Sequence, residues 1–177
     1  MKKNLVFSST ATLTAVLGLG AMLVVGAANA GEKPKTLHSD AVTLIQAVET
    51  AKKTADGIVI EAERDVVMSQ AVYEIEIISD TGEEINTVVS AATGEVILTN
   101  THRNHDNDVE DAIWLAGIRN GTFLSLEQAL MQAETQVDGK AWRVEQDDHL
   151  DRPYYEVDLL NTSGNHVEIK IDARVLK

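Results

Sequence analysis

Ala71-Val72-Tyr73-Glu74-Ile75-Glu76-Ile77 alternates apolar and acidic residues with a period of two, the pattern of a strand with one face in a core and the other in water. Tyr155-Glu156-Val157-Asp158-Leu159 repeats the pattern 82 residues later. At that offset residues 44–91 lie on residues 126–173 without a gap, and 12 of the 48 pairs are identical. Among them are Leu44/Leu126, Gln46/Gln128, Gly57/Gly139, Tyr73/Tyr155, Gly82/Gly164 and Ala91/Ala173. Two copies are too few for a solenoid, so the chain is expected to hold two small units that pack on each other.

Each copy opens with a helical pattern. Leu126, Ala129, Leu130, Ala133 and Val137 form one apolar stripe, Ser125 with Gln128 makes a capping box, and Asp138-Gly139 is a stop signal. The first copy answers with Ala41, Leu44, Ile45, Val48 and Ala51, and its helix is expected to run on to Asp56-Gly57. A strand follows over Ile58 to Ala62 and over Ala141 to Val144, then the alternating strand. Turns at Asp80-Thr81-Gly82 and Thr162-Ser163-Gly164 lead into a third strand carrying Ile85, Thr87 and Val89, or Val167, Ile169 and Ile171. The predicted fold class is α+β, each repeat being one helix packed on a three-stranded antiparallel sheet. Tyr73, Tyr155 and Trp142, which aligns with Ile60, are read as core residues, the tyrosine hydroxyls reaching the rim. Glu74, Glu76, Glu156 and Asp158 fall on the opposite face and are expected to form a solvated acidic surface.

At the N-terminus Lys2 and Lys3 precede an apolar stretch from about Leu13 to Val25 that ends in Ala28-Asn29-Ala30, the form of a Sec signal peptide cut between Ala30 and Gly31. The alternative is an uncleaved membrane anchor. Removing residues 1–30 takes away two lysines and no acid, leaving 13 basic against 28 acidic residues, a net charge of −15 where the whole chain has −13. Nucleic acid and anionic membrane are therefore unsuitable partners, whereas cations, basic proteins, or proteins that recognise apolar surface and backbone are suitable. There is no cysteine, which excludes disulfides, thiolate metal sites and a lipidated mature N-terminus. Asn120-Gly121-Thr122 and Asn161-Thr162-Ser163 match the glycosylation pattern, which is too short to carry weight.

No catalytic signature is present: no Gly-rich phosphate loop after a strand, no Gly-x-Ser-x-Gly elbow and no His-Glu-x-x-His pair. The chain is accordingly read as a non-enzyme with no catalytic residues and no cofactor. Between the copies, His102, His105, Asp106 and Asp108 are candidate ligands for zinc, copper or nickel if the loop closes around an ion, although such residues ordinarily serve as hydrated turn formers. Val109 to Ile118 includes Ile113, Trp114 and Leu115 and is expected to be a short helix docking one repeat on the other.

The residues resemble the PepSY domain, a family named for its presence in the propeptides of secreted peptidases. The resemblance lies in Ala71 to Ile77, in Thr81-Gly82, and in Ala91-Ala92-Thr93-Gly94-Glu95-Val96-Ile97, which is similar to the family's Asp-x-x-Thr-Gly-Glu ending with Ser90 where Asp is usual. The second copy keeps Pro153-Tyr154-Tyr155-Glu156-Val157 and Asp172-Ala173 but has only Arg174 between Ala173 and Val175, so a strand after that point should be short or absent. The resemblance implies an α+β fold, an extracytoplasmic location, no catalytic residues, and roles in inhibiting or chaperoning peptidases. The expected organisation is a signal peptide over 1–30, repeats over 31–100 and 123–177, and a linker with a short helix over 101–122. The expected function is that of a periplasmic or secreted binding module without membrane insertion after cleavage, acting in trans on a peptidase. The alternative is a periplasmic sensor of metal or a small ligand. Intact-mass measurement of the exported protein should give a chain beginning at Gly31; Met1 retained in the membrane fraction would refute the cleavage.

Overall fold

A computed structural model describes residues 33–102, 108–147 and 152–175. The helices begin where side chains satisfy their free amides. At α1 (Leu44–Ala51) the Thr43 amide donates to Gln46 Oε1 at 2.8 Å while Thr43 Oγ1 accepts from the Gln46 amide. Ser125 and Gln128 do the same at the 126–137 helix. That helix ends at Asp138 in the left-handed conformation (φ 51°), whereas α1 stops five residues before the expected Asp56-Gly57. The reason is local: the amide and hydroxyl of Thr54 both donate to the Ala51 carbonyl, at 2.9 and 2.6 Å, closing a tight final turn.

The first repeat continues with β1 (Ile58–Val67), β2 (Gln70–Ile78), β3 (Glu84–Ser90) and β4 (Val96–His102). Helix α2 (Asp108–Arg119) follows, and the second repeat consists of α3 (Leu126–Val137), β5 (Gly139–Asp147), β6 (Tyr154–Asn161) and β7 (His166–Asp172). All neighbours are antiparallel and form one seven-stranded sheet in the order β4-β3-β2-β1-β5-β6-β7. This corrects the expectation of two three-stranded sheets. The first repeat has a fourth strand, because the Thr93-Gly94 turn returns the chain along β3, and the first strands of the two repeats pair edge to edge. No helix among the described residues is long and apolar enough to cross a membrane.

β1 and β5 are longer than predicted. The β1–β2 hairpin turns at Met68-Ser69, both with positive φ (51° and 66°), so no Gly or Asn marks it in the sequence. Each first strand has a one-residue irregularity, at Ile60 in β1 and at Trp142 in β5, which are the same position in the repeat. The glycine before each strand permits a close approach: a Cβ on Gly57 would stand 2.3 Å from the Ile78 carbonyl oxygen, and one on Gly139 2.6 Å from that of Leu160.

α1 and α3 lie on one face of the sheet over Tyr73, Ile75, Ile77, Val144, Tyr155, Val157 and Leu159, all buried. Lys52 of α1 pairs with Glu127 of α3. Trp114 of α2 is buried, its ring centroid 5.1 Å from that of Tyr155, and Arg119 pairs with Asp80 in the β2–β3 turn, so α2 touches both repeats. With one continuous sheet, denaturant should unfold the protein in a single transition. Leu130→Ala and Val48→Ala should lower its stability by about 2–4 and about 1–3 kcal/mol respectively, read from chemical denaturation curves.

Candidate functional site

Both tyrosines act as clamps. Tyr73 Oη donates to the Val42 carbonyl and Tyr155 Oη to that of Leu124, each at 2.9 Å. The amides of the same two residues donate to Ala91 and Ala173 carbonyls, at 3.2 and 2.6 Å. Residues 42 and 124 are equivalent, so the identical Tyr and Ala pairs hold the entry to each helix by both its polar backbone groups. Burial pushes both phenols above their ordinary range. In the first repeat Asp40 adds a buried ion pair with Arg64, Nε to Oδ2 at 2.6 Å. These groups belong to the core, and the face opposite the helices is where unexplained chemistry collects.

The β1–β5 pairing places Glu61 opposite Glu145 and Glu63 opposite Arg143. Pairing within the repeats extends both lines, giving one row Glu76–Glu61–Glu145–Glu156 and a second row Glu74–Glu63–Arg143–Asp158, each crossing β2, β1, β5 and β6. Neighbours in a row are about 5 Å apart at their backbones. The rows are mates under the repeat: at the 82-residue offset Glu61, Glu63, Glu74 and Glu76 become Arg143, Glu145, Glu156 and Asp158. Seven carboxylates thus surround one guanidinium, which pairs with Glu145 and lies 3.7 Å from both Glu63 and Asp158. Lys33 reaches Asp158 at 3.8 Å and Lys170 reaches Glu156 at 3.2 Å.

The expected free acidic surface is in fact half-buried, and Asp158 is only 5% exposed. Crowding by adjacent strands of both repeats explains this. Burial raises Glu76 to about 8, aided by Glu84, Glu61 and Asp111. Burial and like charges also raise Glu61, Glu74 and Glu145. Burial works against the Arg143 charge, and Glu145, Glu63 and Glu61 more than offset it. Glu61, Glu63, Arg143 and Glu145 were not singled out from sequence, since β1 and β5 were read short and the pairing of two distant strands leaves no local signal. The available clue was the alternation Glu61-Ala62-Glu63.

Of the linker candidates, His102 stands on β4 with Nε2 3.0 Å from Asn86 Nδ2 and 3.7 Å from Glu84, and Asp108 begins α2. His105 and Asp106 lie outside the described residues, as do Ala30 and Gly31. Among the described residues no group of three or more His, Cys, Asp or Glu is arranged to hold a metal ion.

Residues 41–100 and 123–175 match the family model of the PepSY domain, described as the peptidase propeptide and YPEB domain. The chain belongs to the PepSY family. Its repeats are tandem PepSY domains, and the carboxylate rows cross the seam between them. Among solved structures, this PepSY chain is similar to a candidate lipoprotein from Clostridium difficile 630, at 22% identity over 78% of this chain and 92% of that one with a TM-score of 0.42. It is also similar to the YpmB protein from Bacillus subtilis, at 18% identity over 74% and 91% of the two chains with a TM-score of 0.28. None of the curated proteins compared with the chain matches it.

Glu76 sets a pH dependence. Its carboxyl holds a proton in the folded state that the unfolded chain releases near pH 4.5, so stability falls as pH rises from about 4.5 to about 8 and is level above. Glu76→Gln should flatten that slope and stabilise the protein at pH 8 by on the order of 1–3 kcal/mol, discounted for the part of the side chain that water reaches. Urea midpoints measured from pH 5 to pH 9 check both.

Proposed function

We propose that this tandem PepSY protein is an exported, non-catalytic binding module that engages a basic segment of a peptidase through the carboxylate rows. The observation that carries the reading is the row Glu76–Glu61–Glu145–Glu156, four glutamates facing one another across four strands. Like charges directly opposite each other destabilise a sheet. A fold that keeps them, with burial and like charges raising Glu61, Glu76 and Glu145, retains a cost that a cationic partner removes. Lysines or arginines laid across the rows would lower the raised carboxyl pKa values and restore the charges. The family's association with peptidase propeptides supports a peptidase as the owner of that segment. The rows run across four strands, which suits an extended basic chain better than one small ion.

Arg143 tunes the affinity by occupying one of the eight row positions. The test is binding of a fluorescent lysine- and arginine-rich peptide, followed by anisotropy, together with casein hydrolysis by the secreted peptidase fraction. Binding should weaken steeply with salt, and Glu61→Gln with Glu145→Gln should weaken it at least about tenfold, which is roughly 1.4 kcal/mol. The wild-type protein should slow casein hydrolysis and the double variant should not. Peptide binding that ignores both salt and the double substitution would refute the reading.

A further inference from the structure

Beside the carboxylate rows lies a patch that is covered although it is on the face away from the helices. Asp158 and Leu160 alternate on β6, opposite Glu168 and His166 of β7, and the Trp142 ring meets the His166 ring edge-on at 6.0 Å, so Asp158, Leu160 and Trp142 all belong to that face. They are 5, 7 and 2% exposed, whereas His166 and Glu168 next to them are exposed. The segment before α1 reaches this patch. Lys33 Nζ stands 3.8 Å from Asp158, Pro34 is buried, and Lys35 lines a cavity with Lys140 and Leu160.

Residues 33–39 are held firmly at one end only. There Asp40 makes its buried ion pair with Arg64 and accepts from Tyr73 Oη at 3.3 Å, and the Ala41 amide donates to the Ala91 carbonyl at 2.8 Å. Among the described residues, the hydrogen bonds of residues 33–39 run only within the segment or to Asp40. Residues 35–38 line a cavity of about 930 Å³ without filling it, so one side of each lacks packing partners and detachment costs little. The repeat shows a tighter version of the same lead-in. At the 82-residue offset Leu37 becomes Arg119 and Asp80 becomes Thr162. Arg119, at the end of helix α2, pairs with Asp80 in a turn of the other repeat, while Leu37, in an irregular segment, shares only a cavity with Thr162.

We propose that residues 33–38 are a displaceable strap that lays the chain's own basic segment, Lys33-Pro34-Lys35, on the β6 end of the rows, where Lys33 competes with the partner's cation for Asp158; the device rests on the rows being the docking surface for a basic segment. Strap and partner then share one chemistry. A lysine supplies the cation, and Pro34, which has no amide hydrogen and favours extended backbone, keeps the strap from pairing as a strand. A competitor that must leave has to be weakly held, and Lys33 is 58% exposed in a single ion pair. A partner segment with several lysines or arginines replaces that one contact, and the strap peels from Lys33 back to the anchor at Asp40. Its departure uncovers the patch of Trp142 and Leu160 and adds apolar surface to the docking face.

Because the chain has no cysteine, Thr36→Cys at an exposed position carries a single spin label on the strap. In the exported protein the label should be restrained, and Lys33→Gln or Asp158→Asn should sharpen its spectrum, as should addition of the lysine- and arginine-rich peptide to the protein with Lys33 and Asp158 intact. Measured by anisotropy, Lys33→Gln should bind that peptide at least about threefold more tightly, the scale of one exposed ion pair. Lys53→Gln, the same charge change at an exposed site beyond α1, should not. A label equally restrained with and without Lys33, or a peptide that binds without releasing it, would overturn the strap. Equal affinity of wild type and Lys33→Gln would do the same while leaving the rows as the docking surface. A peptide that binds neither protein would refute that surface itself, and the competition with it.

Discussion

The pairing of β1 with β5 is the constraint on which the rest of the structure depends. Three residue pairs make the join: Glu61 with Glu145, Ala62 with Val144, and Glu63 with Arg143. Ala62 and Val144 are fully buried under the helices, and the charged pairs stand on the other face. The buried pair and the Glu63–Arg143 pair draw the repeats together while Glu61 and Glu145 resist, so the seam is stable only as a compromise. It exists because each repeat alone is near the lower size limit for a core and leaves the edge of its first strand uncovered.

Arg143 makes the compromise workable. The repeat relates the two rows, and strict symmetry would place a second glutamate where Arg143 stands, giving eight carboxylates in two lines. One Glu-to-Arg difference inserts a cation that touches Glu63, Glu145 and Asp158. Its shortest contact is with Glu145 of the first row, and Lys170 pairs with Glu156, so the cations sit at the β5–β6 end of that row and the Glu76–Glu61 end is left to its like charges. The strain is therefore concentrated at that end, where an incoming cation meets the least competition and where Glu76 is raised to about 8. The same duplication that built the fold also built the surface, and a single substitution directed it.

Several of the identical residues of the repeats have backbone duties. Tyr73 and Tyr155 grip the carbonyls of Val42 and Leu124, Ala91 and Ala173 accept from their amides, and Gly57 and Gly139 let a strand begin against a carbonyl. These contacts place each helix on its sheet irrespective of the partner repeat. They explain how the two copies keep one backbone plan, and why the second copy tolerates loss of the Thr-Gly-Glu turn, which supports only the outermost strand.

The sequence by itself determined the elements whose causes are local. The capping box at Ser125, the helix stripes, the period-two alternation around Tyr73 and Tyr155 and the glycine turns are all encoded within a few residues, so repeat, class and buried face were legible. The lengths of β1 and β5 were not, because their ends depend on a Met68-Ser69 turn and on residue-level irregularities at Ile60 and Trp142 that no local pattern marks. Only the tertiary structure decided that the two sheets are one. A strand's partner across a seam is chosen by which edges the completed units leave uncovered, and that is a property of their packing. The carboxylate rows follow from that choice alone: Glu61 and Glu145 are 84 residues apart in the chain and become neighbours only when the edges of β1 and β5 meet.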